Sequence, residues 1–169
     1  MSNTTLLEET LEAWRDVRLG VIAEIKNIPA KHFDFRPTPE VRSVRELAVH
    51  ILEVAMMMTG ELTRSDTNFR RKPWPQLLKM YAKPAYEAET RAQLLRLLKT
   101  QLDDGIRAFR AAGELSLYQL IEQFDGSLGT KFTWFQHGIA QEMYHRGQLT
   151  LYARLVGEVP ALTKMIQGG

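Results

Sequence analysis

The sequence predicts an all-α fold, a four-helix bundle with a short extra helix at its C-terminal end. Four long stretches carry apolar residues at spacings of three and four, the signature of helices with one buried face. No stretch alternates apolar and polar residues convincingly in the manner of a half-buried strand. The length of 169 residues, 44% apolar and 25% charged, suits one ordinary globular domain. Residues 1–169 are therefore read as a single domain, because two separate cores would each be too small.

The first helix is expected over about 5–27, where Leu7, Leu11, Trp14, Val17, Val21 and Ile25 share a face. Thr4 or Thr5 can cap it, with Glu8 and Glu9 in the first turn, and Ile28-Pro29 ends it. Pro37-Thr38-Pro39 keeps the next segment extended. Ser43 with Glu46 three residues later forms a capping box for the second helix. Its inner face reads Leu47, His50, Ile51, Val54, Ala55 and Met58, and it fades before Asp66. Residues 68–84 read as a loop with room for a helical turn, packed on the bundle through Trp74, Leu77, Leu78 and Tyr81. The third helix is expected over 86–112, with Leu94, Leu98, Leu102, Ile106 and Phe109 in register and Gly113 as C-cap. Residues 114–130 fit either a short helix plus a turn or a small hairpin. The fourth helix covers 131–156 and stops at Gly157, with a brief last helix over 161–166 after Pro160. The long connection between helices two and three leaves an up-down-down-up bundle and a simple meander both open.

Composition excludes several function classes. With 22 basic and 20 acidic residues the formal net charge is +2, and the pI of 8.9 needs no more than that small excess. The one dense basic run, Arg70-Arg71-Lys72, is too short to neutralise many phosphates and reads as a solvated loop, so no nucleic-acid partner is expected. There is no cysteine, hence no disulfide, thiolate metal site or cysteine nucleophile, which suits a reducing compartment. Met1-Ser2-Asn3-Thr4-Thr5 lacks the features of a signal peptide, and no apolar run approaches the roughly 20 residues that span a bilayer. A cytoplasmic protein without a membrane partner is expected.

The residues that bear chemistry are few. His50 sits among Leu47, Ile51 and Val54, and His145 shares a helix face with Trp134, Gly138, Gln141, Leu149 and Tyr152. One histidine on an apolar face is commonly a hydrogen-bonded core residue. Two from different helices form a polar centre that water, partners or a metal must satisfy. Glu53, three residues after His50, fits a fourth ligand, a partner behind the ligand, a general base, or a solvated flank residue. Glu142 is rotated by about 100° from Gln141 and points elsewhere. His137 lies two turns from His145, about 12 Å along the axis, too far to share one ion. It reads as packed under a loop or exposed, and His32 as a surface loop residue. Di-iron bundles need inward glutamates on several helices, which this chain does not offer. Met56-Met57-Met58 read as adaptable core side chains.

The run Met143-Tyr144-His145-Arg146-Gly147-Gln148-Leu149, continuing to Tyr152-Ala153-Arg154-Leu155, resembles the C-terminal signature of the DinB family, the DinB/YfiT-like metalloenzymes. Val41-Arg42-Ser43-Val44-Arg45-Glu46-Leu47-Ala48-Val49-His50-Ile51 and the preceding Phe35-Arg36-Pro37 resemble it too, so the likeness covers nearly the whole chain. It implies a four-helix bundle, commonly dimeric, that holds a divalent metal on three histidines. One comes from the second helix and two, four residues apart, from the fourth. Some members transfer a low-molecular-weight thiol or isomerise a thiol adduct.

Carried over by position, His50 and His145 match two of these ligands and Gln141 falls on the third. Residues four apart on a helix are neighbours, so Gln141 and His145 can converge. An amide oxygen is a weaker ligand than imidazole, so Zn²⁺, Ni²⁺ or Fe²⁺ at His50, Gln141 and His145 would be held less tightly than by three histidines. The resemblance thus implies a metal-dependent enzyme, thiol-transferase-like or hydrolase-like, acting on a small molecule such as a low-molecular-weight thiol, with Glu53 as the candidate base. The alternative is a non-catalytic stress-response or small-molecule-binding bundle that has lost the full three-histidine site. Within the motif, Arg146 and Gln148 read as a surface salt bridge and a polar contact that fix the last helix. Glycine is costly inside a helix, so Gly147 suggests the close approach of another helix, within the subunit or across a homodimer.

Overall fold

The computed structural model describes residues 5–168. Helix α1 (Leu6–Asn27) is capped by Thr5, whose hydroxyl accepts from the Glu8 amide; the alternative cap, Thr4, lies outside the described residues. Helix α2 (Val44–Leu62) starts at the expected capping box, with Ser43 and Glu46 each accepting the other's backbone N–H. The 68–84 segment is more helical than the expected loop: α3 (Trp74–Tyr81) carries Pro75 in its first turn, where a missing N–H costs nothing, and α4 (Lys83–Tyr86) follows. Helix α5 (Arg91–Ala112) begins later than the expected 86, because Thr90 and Gln93 form a second capping box that fixes the start. Gly113 ends it with φ of 79°.

Both alternatives for 114–130 occur together. A short 3₁₀ turn, Glu114–Tyr118, leads into a hairpin of β1 (Leu120–Glu122) and β2 (Leu128–Thr130), with Ile121 opposite Gly129. Gly126, with φ of 87°, makes the turn between the strands. Helix α6 (Lys131–Leu155) and the short α7 (Ala161–Gln167) complete the chain. No described helix is long and apolar enough to cross a membrane.

Helices α1 and α2 each pack mainly on α5 and α6. Glu8 pairs with Arg110 and the Ile25 carbonyl accepts from Arg91, so α1 and α5 run antiparallel. Trp14 packs on Phe135 near the start of α6, while Asn27 reaches the Val159 carbonyl beyond its end, so α1 and α6 run parallel. Helices α2 and α6 are antiparallel and pinned at both ends. The buried Lys131 ammonium donates to the Arg64 carbonyl, and the Tyr152 hydroxyl donates to the Arg42 carbonyl at 2.9 Å. The order is therefore up-down-down-up, not a meander.

Two apolar clusters fill the bundle. One gathers Trp14, Phe109, Phe135, Leu102 and Met58; the other gathers Val21, Ile25, Leu47, Ile51, Leu98 and Leu149. A polar layer with Arg18 at its centre, fully buried, lies where they meet. Arg18 donates to both Glu142 oxygens (2.8 and 2.5 Å), the Leu98 carbonyl (2.9 Å) and Gln101 Oε1 (2.8 Å). Trp14 Nε1 donates to Glu142 at 2.8 Å, and Gln101 donates to the Thr59 hydroxyl at 3.2 Å. The four long helices are thus joined by one satisfied network.

For the last motif one of two alternatives drops out and one expectation is corrected. A Cβ on Gly147 would meet nothing within 4 Å, so no helix of the same subunit approaches it. Arg146 has no carboxylate partner among the described residues; its guanidinium lies over Gly20, which leaves the space a Cβ would fill. Met57 and Met58 are buried core side chains and Met56 packs at the edge, as expected.

Candidate metal centre

Glu142 fixes the rotation of α6. With Glu142 turned to α1 and α5, the next face carries Gln141, His145 and Gln148 toward α2. On α2, Ile51 and Leu47 anchor the core side and leave His50 and Glu53 at the seam with α6. The His50 and His145 rings meet edge to face, centroids 4.9 Å apart at 82°. Two imidazoles sharing a tetrahedral ion with bonds of about 2.0–2.1 Å would have centroids roughly 5 Å apart, so this spacing fits a shared cation.

Each ring is oriented by a partner three residues on. His50 Nδ1 lies 2.6 Å from Glu53 Oε1, and His145 Nδ1 lies 2.6 Å from Gln148 Oε1. An ionised carboxylate and an amide oxygen only accept, so both Nδ1 atoms carry a proton, and Nε2 is the nitrogen of each ring through which a lone pair can be offered. Burial pushes the His145 pKa below its ordinary value, reinforced by His50 and Arg42, so the ring is neutral at pH 7. Burial pushes the Glu53 carboxyl upward, but hydrogen bonds from His50 and from the Tyr86 hydroxyl (2.5 Å) outweigh it and keep Glu53 ionised. Tyr86 is exposed as a residue, but partial desolvation of its hydroxyl and the bond to that carboxylate push its pKa up and hold it protonated.

Gln141 lies one turn before His145 and lines the same cavity as His50. Both its amide oxygen and its amide nitrogen are buried without a hydrogen-bond partner. Buried polar atoms nearly always have partners, so an orphaned amide beside two imidazole lone pairs fits a donor set awaiting an acceptor of electrons. Among the described residues no three His, Asp or Glu side chains form a cluster that could hold a metal.

The remaining sequence candidates are placed as follows. Both Glu53 oxygens are engaged, by His50 and by Tyr86, which sets this carboxylate behind His50. His137 is exposed and packs on Trp134 with centroids 5.1 Å apart, and His32 packs on Phe35. Sequence reasoning missed Gln148 as the partner of His145, although His50-x-x-Glu53 and His145-x-x-Gln148 repeat one spacing. It also missed Tyr86, brought in by α4, and Arg18, a charge on the apolar stripe of α1.

Cavities flank the histidines on either side along the α2–α6 seam, and His50 lines both. One is an open polar cleft of about 720 Å³ bordered by Arg36, Arg42, Arg45, Glu53, Gln148 and Tyr152. Arg36 and Arg45 pair with Glu46 and Asp34, whereas Arg42 has no carboxylate partner among the described residues. The other, of about 240 Å³, is walled by Val54, Met58, Trp74, Trp134 and Gly138.

Solved structures share this fold. The DinB-like protein YjoA of Bacillus subtilis superposes with a TM-score of 0.66 at 21% identity, covering 88% of this chain and 92% of that one. YfiT of Bacillus subtilis, described as a probable metal-dependent hydrolase with an unusual four-helix bundle topology, superposes with a TM-score of 0.67 at 14% identity, covering 93% and 90%. No curated protein matches the sequence. The sequence model of the DinB family matches residues 1–167, nearly the whole of the bundle that carries the histidine pair, and the chain belongs to the DinB family.

Proposed function

We propose that the protein is a metal-dependent enzyme acting on a small molecule, with a divalent ion (Zn²⁺, Ni²⁺ or Fe²⁺) held by His50, Gln141 and His145. The observation that carries this reading is the orphaned Gln141 amide beside two imidazoles whose Nδ1 atoms are already engaged. When bound, such an ion supplies Lewis acidity and lowers the pKa of a water or thiol. Glu53 and Gln148 hold the two imidazoles in the tautomer that presents Nε2. Glu53, named above as the candidate base, acts in this reading through His50, and the Tyr86 hydroxyl, donating to its other oxygen, holds it in place. Arg42 offers an unpaired cation in the polar cleft for the reactant that brings the nucleophile, and a low-molecular-weight thiol fits that role. YfiT, described as a probable metal-dependent hydrolase, supports the general class.

A second reading is favoured by the neutral third donor: a small-molecule-binding or stress-response bundle that no longer retains metal. Elemental analysis after purification without nickel resin, followed by titration with Zn²⁺, Ni²⁺ and Fe²⁺, separates the two. The first reading expects bound or readily restored metal, lost in His145→Ala and held at least tenfold tighter in Gln141→His. Absence of metal with no uptake of any of the three ions overturns it. A homodimer in a cytoplasmic setting completes the proposal: Tyr144, Leu151 and Leu155 present an exposed apolar strip around the open Gly147, and sedimentation analysis reads the assembly state.

A further inference from the structure

The smaller cavity has the character of a ligand pocket in its own right. Its walls are two indoles, Trp74 and Trp134, with the Met58 thioether and Val54 between them. Gly138 keeps it open: a Cβ there would lie 3.3 Å from Met58 Cε, narrowing the space. The indoles are held in place by Phe124, which packs edge-on against both with centroids 4.8 and 5.3 Å away, and by Phe69 against Trp134. The hairpin and the 68–84 segment exist, in this sense, to wall the pocket. The volume of about 240 Å³ exceeds the roughly 150 Å³ that accepts benzene, leaving room for a substituent of a few atoms.

Charge argues for a neutral occupant. No carboxylate, lysine or arginine lines the cavity, and its titratable neighbours are His50 and the exposed His137. The occupant is not purely apolar either. The Trp134 indole N–H is buried with no acceptor, as is the amide of Gln141 at the inner end. A buried donor without an acceptor is uncommon and costly, and two in residues lining one cavity point to an acceptor that arrives with a ligand.

We infer that this pocket binds a small, neutral aromatic carbonyl compound, its ring between the tryptophans and Met58, its oxygen accepting from the Trp134 indole N–H. Flat rings suit indole and thioether walls. The inference names the substrate class of the centre proposed above and rests on that reading for its chemistry, but binding in the pocket requires no metal.

The test compares acetophenone with α-methylstyrene, which has the same shape and a methylene in place of the oxygen. Full-length protein with ¹⁵N-labelled tryptophans is titrated with each and followed by the indole N–H resonances. Acetophenone is expected to bind about tenfold more tightly, the ~1.4 kcal/mol of one satisfied hydrogen bond, and to shift one indole resonance that α-methylstyrene leaves in place. In Trp134→Phe the two probes are expected to bind alike. Equal affinities in the native protein, a preference that persists in Trp134→Phe, or no binding of either at millimolar concentration overturns the inference; the native resonances decide even if the variant fails to fold. Metal titration of the same samples separates the readings. Metal uptake without probe binding sinks the pocket alone, and probe binding without metal uptake sinks the metal centre alone.

Discussion

Replacing Arg18 by methionine tests the central layer of the bundle. Methionine keeps the unbranched stem and ends where the guanidinium begins, so the change removes charge and hydrogen bonds while retaining most of the packing of the stem. The guanidinium makes two bonds to Glu142, one to the Leu98 carbonyl and one to Gln101. Without it Glu142, 2% exposed, keeps only the Trp14 indole N–H as partner. Breaking a buried pair from one side costs about 3–5 kcal/mol, chiefly because the remaining charge stays out of water. For a chain of this size that corresponds to a fall in Tm of roughly 6–20 °C. The double variant Arg18→Met/Glu142→Gln removes the stranded charge and keeps an acceptor for Trp14, so it is expected to be more stable than Arg18→Met alone. Urea denaturation of both variants with Glu142→Gln completes the cycle, provided the m-value stays constant. A loss below about 1 kcal/mol in Arg18→Met, or losses that simply add in the double variant, would refute the reasoning.

Two further outcomes follow from burial elsewhere. Glu61, fully buried, accepts from Arg71, from the Tyr81 hydroxyl (2.6 Å) and from the Thr67 hydroxyl (2.8 Å); burial pushes its carboxyl upward, but these bonds outweigh it and hold its pKa below the ordinary value. Its contribution is complete above the unfolded-state carboxylate value and is lost as pH falls through the lowered one, so Tm measured against pH should decline on the acid side, and a Glu61→Gln variant that declines just as steeply contradicts this. A Cβ on Gly105 would lie 2.5 Å from Trp14 Cη2, an indole pinned by Glu142, so Gly105→Ala should cost about 1–3 kcal/mol, whereas Gly147→Ala, meeting nothing, should be neutral or gain up to about 1 kcal/mol; thermal melts that rank the two the other way exclude the packing described.

How much the sequence discloses depends on where its signals are local. The start of α2 is legible because Ser43 and Glu46 cap it within four residues, and Gly113 and Gly157 end α5 and α6 for equally local reasons. Apolar periodicity alone starts α5 five residues early, because Tyr86 continues the pattern, while the Thr90–Gln93 box that sets the boundary lies inside the periodic stretch. The hairpin was undecidable because its strands are three residues long and lean on a distant backbone bond, from the Phe69 amide to the Glu122 carbonyl at 3.1 Å. At the site, His50, Gln141 and His145 were named from spacing and resemblance. Gln148 and Tyr86, which orient the histidines or their partner, were not, because a Gln or Tyr carries no signal until the fold supplies its neighbour.

The helix that bears most of the site is also the one whose apolar periodicity is weakest, and the reason is physical. Helix α6 answers to three surroundings at once. Phe135, Ile139 and Leu149 face the core; Gln141, His145 and Gln148 face α2; Tyr144, Leu151 and Leu155 stand exposed. A helix with one apolar stripe can tolerate rotation by a few tens of degrees, since neighbouring apolar side chains replace one another. Helix α6 cannot, because its core face also contains Glu142, and any rotation would pull that carboxylate from Arg18 into apolar surroundings. The polar layer therefore does for register what an apolar stripe alone would leave loose. It holds Gln141 and His145 on the α2 side, and the neutral amide at position 141 keeps its place there without a hydrogen-bond partner of its own.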